Sequence, residues 1–286
     1  MAGAGAGGAC RVVSWNIAFS GPQRAALQGA FLRSLQPDLV IIQELNPGSS
    51  SVVSDTAGLD WFKYSLDRSF IGVSQGRRRA AAVGGRGVHL LGILPQLLAL
   101  PLPEKVLAVR VAVGDVEFAA IGYHAPPGVS WGYWKVEQAL AFLDWLNDIE
   151  IPAILGADAN TPEIDHPDFA KSRTHWHTGS RKLAGLPGDD LLWGLARTHR
   201  LIDAYRLWLE AHPHEFARIR SAHPSGPLAA SHWTGKRRLS PGTPRRFDSI
   251  WVSPEIAVEG VTYRQEALEF SDHAAVVADL RLGAGM

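Results

Sequence analysis

Polar residues capable of acid–base or metal chemistry follow runs of apolar residues at several points in this sequence. The clearest case is residues 154–160, where Asp158 and Asn160 follow an apolar run that contains Gly156. The run predicts a buried strand, and residues two apart on an extended chain point the same way. Asp158 and Asn160 could therefore orient a water molecule together, or they could form an Asx turn that closes the strand. Gly156 indicates either a close approach to another part of the chain or a turn that other residues resist.

Comparable polar residues lie beside five other runs that should be core. These residues are Asn16, Glu44, His124, Asp248 and the adjacent pair Asp272 and His273. One buried aspartate or histidine usually has a satisfied hydrogen bond and no role in chemistry. Six such places at the margin of one core predict a shared site, because residues at strand ends often carry function.

The oxygen-bearing residues of this set indicate which metal the site would hold. Glu44 and Asp272 are hard oxygen ligands, and Asn16 could assist them. The chain has one cysteine, Cys10, and few converging histidines, which argues against structural zinc and for Mg²⁺ or Mn²⁺. Such an ion polarises a phosphoryl oxygen and stabilises a leaving oxygen.

The histidines of the set suggest proton transfer. His273 could accept a proton from an attacking water if a carboxylate fixed its tautomer, and Asp248 is the best candidate for that carboxylate. His124 would bind a phosphate oxygen or protonate the leaving group. The chemistry predicted from these residue types is therefore attack of water on a phosphoester.

Strands and helices alternate in both halves of the chain, and short strands punctuated by glycine and proline lie between them. This pattern favours an α/β fold with two packed mixed sheets and helices outside. A Gly/Ala-rich disordered tail is expected over residues 1–9 and a single domain over residues 10–283. Besides the run at 154, the expected strands cover residues 11–16, 38–44, 70–74, 80–83, 88–93, 106–113, 116–122, 245–252, 258–265 and 274–282. The expected helices cover residues 23–36, 134–149, 189–199 and 206–211, and residues 49–58 are expected to be a loop.

Two of the expected helices have apolar stripes that should face the core. The stripes consist of Leu27, Ala30, Phe31 and Leu35 on the first helix, and of Val136, Leu140, Leu143 and Leu146 on the second. Lys135 lies off the second stripe. Trp134, at the start of that stripe, is expected to pack in the core rather than to stack on a ligand.

Composition excludes several classes of protein. The 286 residues are 46% hydrophobic and 20% charged with zero formal net charge, which indicates a globular chain without a global basic field. The longest apolar stretch, residues 90–102, is broken by prolines and is too short to span a bilayer. We therefore expect a cytoplasmic monomer without membrane contact, and the single cysteine fits a reducing compartment.

Any attraction for an anionic substrate must be local. Two stretches without acidic residues could provide it, or could be solvated faces. Their basic residues are Arg68, Arg77, Arg78, Arg79 and Arg86 in the first, and Arg218, Arg220, Lys236, Arg237, Arg238, Arg245 and Arg246 in the second. Trp131, Tyr133, Trp134 and Trp233 could stack on bases. His175 and His177 could bind zinc, but exposed loop histidines are the preferred interpretation of the histidine-rich region at 166–232.

Six segments in order resemble the motif set of the endonuclease/exonuclease/phosphatase superfamily, over residues 12–280. They are Trp15-Asn16, Gln43-Glu44, Tyr123-His124-Ala125-Pro126, Gly156-Ala157-Asp158-Ala159-Asn160, Arg246-Phe247-Asp248 and Ser271-Asp272-His273. The resemblance implies a four-layer α/β sandwich and divalent-metal-dependent cleavage of a phosphoester by in-line attack of water. Two departures stand out: alanine separates the aspartate from the asparagine, and residues 68–103 contain no acid to orient the histidine at 124.

The resemblance also implies a role for each matched residue. Glu44 is similar to the principal metal ligand, Asp272 to a second ligand, and Asn16 to a residue near the metal and the phosphate. Asp158 and Asn160 resemble the pair that orients nucleophile and phosphate. Asp248 and His273 resemble the carboxylate–imidazole dyad, and His124 resembles the histidine of the pancreatic deoxyribonuclease branch. A backbone carbonyl or a different acid could orient His124.

The predicted function is a Mg²⁺- or Mn²⁺-dependent phosphodiesterase acting on nucleic acid, and most specifically a DNA endonuclease. A phosphatase or a lipid or small-molecule phosphodiesterase with the same catalytic core is the alternative, and a catalytically idle binding protein is a third hypothesis. The residues expected to contact substrate are Asn16, Trp233, Arg237, Arg238 and Arg246.

Overall fold

Two six-stranded mixed β-sheets form the centre of a computed structural model of the chain. The structure describes residues 8–65, 79–94, 100–127, 131, 133–174, 188–235 and 242–283, so the predicted strand at 70–74 lies outside it. The described strands are β1 (Ala9–Asn16), β2 (Leu39–Leu45), β3 (Trp61–Tyr64), β4 (Ala80–Gly85), β5 (His89–Ile93), β6 (Val106–Val113), β7 (Val116–His124), β8 (Ala153–Asp158), β9 (Ile202–Asp203), β10 (His232–Thr234), β11 (Thr243–Arg245), β12 (Asp248–Val252), β13 (Ala257–Arg264) and β14 (Ala275–Arg281). The described helices are α1 (Pro22–Ser34), α2 (Ser50–Ala57), α3 (Tyr133–Asn147), α4 (Gly188–Trp193), α5 (Ala204–Ala211) and α6 (Pro213–Ala222).

Each sheet has one parallel pair of strands at its centre. The first sheet has the order β13-β14-β1-β2-β4-β3 and the second has the order β5-β6-β7-β8-β12-β9, while β10 and β11 form a separate ribbon. β1 runs parallel to β2, and β7 runs parallel to β8. Parallel strands need a crossover connection, and α1 and α3 supply the two crossovers. Ligands of open α/β sheets bind beyond the carboxyl ends of such strands.

The two sheets pack face to face, and one glycine sets how closely they approach. Ile41 of β2 belongs to the same buried cluster as Ile154 of β8. A Cβ atom on Gly156 would lie 2.6 Å from Ser14 Oγ and 2.8 Å from Ile41 Cγ2, both on the opposite sheet. Those distances are too short for any other residue. Close approach is therefore the correct interpretation of Gly156.

Helices cover the outer faces of both sheets and complete the predicted four-layer α/β sandwich. On the first sheet, Leu32 of α1 and Val53 of α2 share a core cluster with Val13 and Ile42. On the second sheet, helices α3 and α4 bury their apolar residues against β6, β7 and β8. The fold class expected from the sequence is confirmed.

The buried face of α1 differs from the predicted stripe. Ala25, Gln28, Gly29 and Leu32 are its buried residues, whereas Leu27 is 55% exposed. Gln28 can be buried because its Nε2 lies 2.8 Å from three oxygens, those of the Ile17 carbonyl, the Ser20 hydroxyl and the Phe270 carbonyl, which its two N–H groups share. Gly29 lets α2 pack closely, since a Cβ atom there would lie 2.8 Å from the Val53 carbonyl oxygen. Apolar periodicity cannot detect a contact made by glutamine and glycine.

Several other expectations about helices are wrong. The expected loop at 49–58 contains α2, which ends at Gly58 in the left-handed conformation with φ 70°. Helix α6 was not expected, and α4 covers only the start of the expected helix at 189–199. On α3, Lys135 is buried and Trp134 is 44% exposed, the reverse of the prediction for both. Strands β3, β10 and β11 were not expected either, whereas the other long strands and the tight turn between Val113 and Val116 lie close to their expected positions.

Two further findings concern where the first strand begins and whether any helix could cross a membrane. Strand β1 begins at Ala9, within the tail expected over residues 1–9, and Ala9 pairs with Arg281 of β14. Across the residues that the structure describes, the helices are too short or too polar to cross a membrane.

Candidate active site

Strand ends bring the predicted polar residues together at one edge of the sandwich. Asn16 ends β1, His124 ends β7, Asp158 ends β8, and Glu44 lies one residue before the end of β2. Asp248 begins β12 and lies opposite Asp158 in the antiparallel register. Asn16 Nδ2 donates to Asp158 Oδ2 at 2.8 Å, which joins the first sheet to the second. We refer to Asn16, Glu44, His124, Asp158, Asp248 and His273, all of them buried, as the polar cluster.

Asp248 and His273 form a carboxylate–imidazole dyad. Asp248 Oδ2 lies 2.8 Å from His273 Nδ1. Ser231 Oγ accepts hydrogen bonds from the backbone N–H groups of Phe247 and Asp248, each at 3.0 Å. Trp15 Nε1 donates to the His273 carbonyl at 2.9 Å. The carboxylate therefore holds Nδ1, and Nε2 is the ring nitrogen that can meet a ligand.

Charge within the polar cluster shifts two pKa values upward. Burial alone lowers the pKa of His273, but Asp248 and Asp158 outweigh it and raise that pKa to about 10. Burial and then Asp248 raise the pKa of Asp158, against the opposing effects of His273 and Asn16. Strongly perturbed titratable groups of this kind concentrate at functional sites.

The segment Asp158–Asn160 is a turn as well as part of the polar cluster. The Asn160 N–H donates to Asp158 Oδ1 at 3.0 Å, which is an Asx turn, and Asn160 has φ 47°. Its Nδ2 donates to the Ala125 carbonyl at 3.0 Å, which leaves Oδ1 to face a ligand. Asp158 and Asn160 are therefore not successive outward residues of one strand. The turn and the functional interpretation are compatible.

A buried ion pair lies against the same turn. Lys135 Nζ is 3.1 Å from Asp189 Oδ2 and 3.5 Å from the Asn160 carbonyl oxygen. Both side chains are almost fully buried. Burial raises the pKa of Asp189 to about 6, although Lys135 opposes the shift. The pair connects the start of α3 to the backbone of Asn160.

Glu44 lies at an irregular point of β2 and has a strained backbone. The register of β2 against β4 shifts between Ile42 and Leu45, and Glu44 has φ 56°. Bulges and left-handed non-glycine residues are costly and concentrate at functional sites. Glu44 Oε1 forms an ion pair with Arg79 and lies 3.3 Å from His124 Nε2. The irregular backbone thus aims the Glu44 carboxylate into the polar cluster.

A lysine orients His124, not the acid or carbonyl considered from sequence. Lys105 Nζ lies 3.0 Å from His124 Nδ1, and both residues are buried. An ammonium group can only donate, so Nδ1 accepts and Nε2 carries the ring hydrogen. Nε2 lies 3.3 Å from Glu44 and 3.8 Å from Asp158. Burial, with Lys105 and Arg79, lowers the pKa of His124 well below its ordinary value, which makes the ring a neutral hydrogen-bond donor.

The donor atoms of the polar cluster fit a hard divalent cation. Asp158, Asp248 and His273 present ligand atoms that lie within 4.8 Å of one another. Asp248 Oδ1 is buried and has no hydrogen-bond partner among the residues that the structure describes. A buried carboxylate oxygen of this kind normally has a partner, so a cation or its bound water would complete it. Oxygen-rich donors suit Mg²⁺ or Mn²⁺ better than softer ions.

Asp272, the predicted second ligand, lies at the margin of this donor set. Its side chain is 66% exposed, and its Oδ1 lies 3.9 Å from His273 Nε2. His232 also reaches this margin, because its ring stacks on that of His273 with centroids 4.3 Å apart. Asp272, His232 and His273 therefore present a second group of ligand atoms beside the polar cluster.

Among the predicted substrate contacts, the prediction for Arg246 is wrong. Its guanidinium is buried, with Nε 2.8 Å from Asp165 Oδ2 and Nη2 2.7 Å from Asp203 Oδ2. An arginine held by two buried carboxylates stabilises the fold and cannot also bind an incoming phosphate. Trp233 is half-buried on β10 and stays a predicted contact. Several of the residues predicted from the sequence lie outside the part that the structure describes. They are Lys236, Arg237 and Arg238, Arg68, Arg77 and Arg78, and His175 and His177.

Sequence reasoning missed the residues that hold the predicted ones in place. Lys105, Ser231 and the Lys135–Asp189 pair carry no recognisable spacing, since each acts through a contact with a distant part of the chain. The histidines expected to be exposed in loops include two that are not. His199 is buried, and His232 is half-buried. A single serine or lysine that lies outside any motif does not indicate, from the sequence alone, that it holds a site residue in place.

Solved structures support the fold. The crystal structure of D. rerio TDP2 complexed with single strand DNA product superposes with a TM-score of 0.63 at 13% identity, covering 96% of this chain and 99% of that chain. An endonuclease/exonuclease/phosphatase from Bacteroides vulgatus gives a TM-score of 0.63 at 15% identity, with coverage of 96% and 99%. The human Nocturnin catalytic domain with bound sulfate gives 0.59 at 17% identity, with coverage of 95% and 93%. At these identities the likeness shows the fold alone.

Sequence comparison establishes the family. No curated protein sequence gives a significant match to this chain. Residues 13–273, most of the chain, match the sequence profile described as the Endonuclease/Exonuclease/phosphatase family. The matched region contains Asn16, Glu44, Asp158, Asp248 and His273. The resemblance found in the sequence motifs is thereby confirmed, and the chain belongs to the Endonuclease/Exonuclease/phosphatase family.

Proposed function

We propose that this protein is a divalent-metal-dependent phosphodiesterase that hydrolyses nucleic acid, with DNA endonuclease as the specific activity. The observation that carries the proposal is the Asn16–Asp158 hydrogen bond, which joins the carboxyl ends of both parallel pairs beside the Asp248–His273 dyad. Membership of the family supports a hydrolase acting on phosphodiester bonds. The DNA product bound to the structurally similar D. rerio TDP2 supports nucleic acid as the substrate class.

In this proposal the side chains of the polar cluster divide the reaction among them. Asp158 and the Oδ1 atom of Asn160 hold the attacking water, because both present acceptor oxygens at the end of β8. His273, fixed through Nδ1 by Asp248, exchanges a proton with that water or with a phosphate oxygen through Nε2. His124 donates its Nε2 hydrogen to a phosphate oxygen, since Lys105 occupies Nδ1.

The metal contributes the remaining charge stabilisation. Held by the residues of this site, Mg²⁺ or Mn²⁺ would polarise a phosphoryl oxygen and stabilise the leaving oxygen. Glu44, Asp272 and Asn16 are the proposed ligands, and Asp158 and Asp248 lie close enough to supply further oxygens. The buried, unpartnered Asp248 Oδ1 is the feature of the described residues that best supports a cation at this place.

A smaller phosphoester is the second candidate substrate, and the arginines favour it. In the second basic stretch, Arg246 is buried, Arg245 donates to the Glu163 carbonyl, and Arg218 pairs with Glu215 at 2.9 Å. Arg245 and Arg246 therefore bind groups of the protein itself, whereas Arg218 is an exposed arginine paired with a neighbour on α6. Among the residues that the structure describes, Arg245 and Arg246 are thus not available to a phosphate backbone, and a substrate with one or two phosphates needs fewer cations than a long duplex.

A substrate panel tests the proposal. Purified full-length protein is assayed in Mg²⁺, in Mn²⁺ and in EDTA on plasmid, linear duplex, single-stranded DNA, RNA, a small aryl phosphodiester and a phosphomonoester. We expect plasmid nicking that EDTA abolishes and either metal restores. Glu44→Gln should lose about 10²-fold or more of the activity, whereas the control Glu259→Gln, at an exposed ion pair with Arg281, should not.

Two results would contradict the proposal. Full activity in EDTA would remove the metal from the mechanism. Hydrolysis of small esters without cleavage of any nucleic acid would select the second candidate.

A further inference from the structure

We propose that Trp131, Tyr133 and Trp134 form a stacking platform for an unpaired nucleobase next to the scissile phosphate. We call these three residues the aromatic rim. They are 37%, 72% and 44% exposed, at the point where α3 begins. The inference rests on the proposed function, because a base can be bound there only if the substrate is a nucleic acid.

A lysine connects the aromatic rim to the polar cluster. Lys105 Nζ lies 5.8 Å from the centroid of the Trp131 ring and 3.0 Å from His124 Nδ1. A cation at that distance from an indole is within the range of a cation–π interaction. One buried side chain thus holds Trp131 near the catalytic histidine. Because both distances are measured from the same ammonium nitrogen, the centre of the Trp131 ring lies less than about 9 Å from His124 Nδ1.

A second, independent connection fixes the rest of the rim. The Trp134 N–H donates to the Trp131 carbonyl at 3.2 Å, which makes the three aromatics part of one turn. The next residue, Lys135, is buried and lies 3.5 Å from the Asn160 carbonyl oxygen and 3.1 Å from Asp189. The start of α3 is therefore tied to the turn that carries Asp158 and Asn160. The rim and the polar cluster form one continuous structure.

The aromatic rim contributes little to the core of the domain. The apolar core of α3 comes from residues further along the helix, such as Ala139, Phe142 and Leu146, which pack on the second sheet. Large aromatic side chains that remain exposed beside a catalytic cluster usually bind something. Three side chains are far fewer than the 20–30 residues per side of a stable protein interface.

A nucleobase fits these observations best. Its flat face matches an indole or phenol ring, and base–aromatic stacking is tolerant of sequence. The lysine cation beneath Trp131 complements the adjacent phosphate. An unpaired base is required, because the face of a base in a duplex is covered by its neighbours. The preferred substrate is therefore single-stranded, or duplex with an unpaired end or flap.

Fluorescence of a base analogue tests the platform without requiring cleavage. A set of single-stranded oligonucleotides, each with 2-aminopurine at one position, is titrated with protein in EDTA. Stacking on the rim should quench the analogue at one or two positions. Trp131→Ala and Trp134→Ala should abolish that quenching and weaken binding about tenfold, in line with the loss of one stacked base. Trp131→Phe should retain most of both, because it keeps an aromatic face.

Matched controls separate the platform from general damage. Leu27→Ala removes another exposed apolar side chain, on α1, and should change neither quenching nor affinity. An oligonucleotide with an abasic site at the quenched position should bind wild-type protein about as weakly as the normal oligonucleotide binds Trp131→Ala. In Mg²⁺, the loss of kcat/KM in the rim variants should be at least about five times larger on the oligonucleotide than on the small aryl phosphodiester.

The outcomes distinguish this inference from the proposed function. Quenching and affinity that persist in folded Trp131→Ala and Trp134→Ala would refute the platform while leaving nuclease activity intact. Equal losses on both substrates would also refute it, since the rim would then act on the catalytic residues themselves. Wild-type protein that neither binds nor cleaves any oligonucleotide would overturn the proposed function and the platform together.

Discussion

Two buried regions of this protein contain several charged side chains each, and they differ in how far those charges are balanced. The polar cluster contains the carboxylates Asp158 and Asp248 with the imidazole His273 between them. The second region, which we call the arginine cluster, consists of Asp165, Asp203, Arg206 and Arg246. In the arginine cluster two guanidinium groups face two carboxylates, so the formal charges cancel. Within the polar cluster, by contrast, Asp158 and Asp248 share one imidazole, that of His273.

The pKa values of the two regions move in opposite directions. Burial raises the pKa of Asp165, but Arg246 and Arg206 outweigh burial and lower it. Burial and Asp248 raise the pKa of Asp158. Asp165 is therefore a satisfied structural ion, whereas the ionised form of Asp158 is disfavoured until something positive arrives. Burial alone does not identify an active site; incomplete charge compensation within a buried set does.

The largest effect should come from the dyad of the polar cluster. His273→Ala should lower kcat/KM by at least about 10²-fold, because it removes the ring nitrogen that faces the phosphate. Asp248→Asn should cost a comparable factor, since the imidazole would lose the partner that fixes Nδ1. Steady-state kinetics on the best substrate of the panel measures both, with circular dichroism to confirm folding. A His273→Ala enzyme with near-wild-type kcat/KM would place the chemistry elsewhere.

The arginine cluster should show the reverse behaviour. Arg246→Met leaves Asp165 and Asp203 buried without their shared partner, and should lower the free energy of unfolding by about 3–5 kcal/mol. Urea denaturation measures the loss. Surviving folded enzyme should keep an intact dyad, so kcat per folded molecule should fall far less than in His273→Ala. The control is Arg110→Met at an exposed ion pair with Glu117, which should cost about 0–1 kcal/mol. Similar losses for the two arginines would mean that the buried network is not structural.

The histidine at 199 tests what burial does to a titratable group that has no acidic partner, since burial is the largest cause of its pKa shift and Arg197 adds to it. His199 Nε2 donates to the Leu192 carbonyl at 2.7 Å and its Nδ1 accepts from the Leu201 N–H at 3.2 Å, so the folded state holds the neutral ring. Burial lowers its pKa from 6.5 to about 4. Because the unfolded chain binds the proton more tightly, stability is full above pH 6.5 and falls as the pH drops towards 4, by about 3 kcal/mol.

His199→Gln isolates this contribution from those of the carboxylates. The difference in unfolding free energy between wild type and variant should shrink as the pH falls from 7 to 4, in parallel urea titrations. A difference that stays constant with pH would show that His199 does not titrate between the two states.

The smallest effect should be a gain in stability at the active site. Asp158→Asn keeps one oxygen, which can accept from either Asn16 Nδ2 or the Asn160 N–H but no longer from both, and it removes the disfavoured charge. Because the folded-state pKa of Asp158 is raised, ionisation above that pKa weakens folding, and the variant should gain on the order of 1 kcal/mol at pH 8 in metal-free buffer. Activity should be lost at the same time. Thermal unfolding at pH 5 and pH 8 measures the gain, which should shrink at pH 5; an equal gain at both would point to packing rather than charge.

Much of the polar cluster could be predicted because its members follow recognisable local patterns. Apolar runs that end in Asn16, His124 and Asp158 predict strands, and the carboxyl ends of parallel strands meet at one edge. Glycine at 156 between aliphatic residues correctly signalled a close approach. The order of six short motifs led to the family before any contact was known.

The sequence predictions that were wrong or missing have one cause. Polar contacts between residues far apart in the chain produce no periodic pattern in the sequence. Gln28 turns the buried face of α1 away from its apolar stripe. Arg246 was predicted to contact substrate because it lies in a basic stretch. It is instead buried in an ion pair with Asp165, 81 positions away. Lys105 reaches His124 from a short turn that has no motif of its own.

The sequence by itself determined the class of fold, the set of chemically competent residues and their order along the chain. These follow from short-range rules, since hydrophobic periodicity and residue type act within a few positions. Only the tertiary structure decided which charges are balanced and which are not. Asn16 meets Asp158 across 142 positions, and the pKa of a buried carboxylate depends on every charge that folding brings near it. The division between a structural ion cluster and a reactive one is therefore a property of the packed chain.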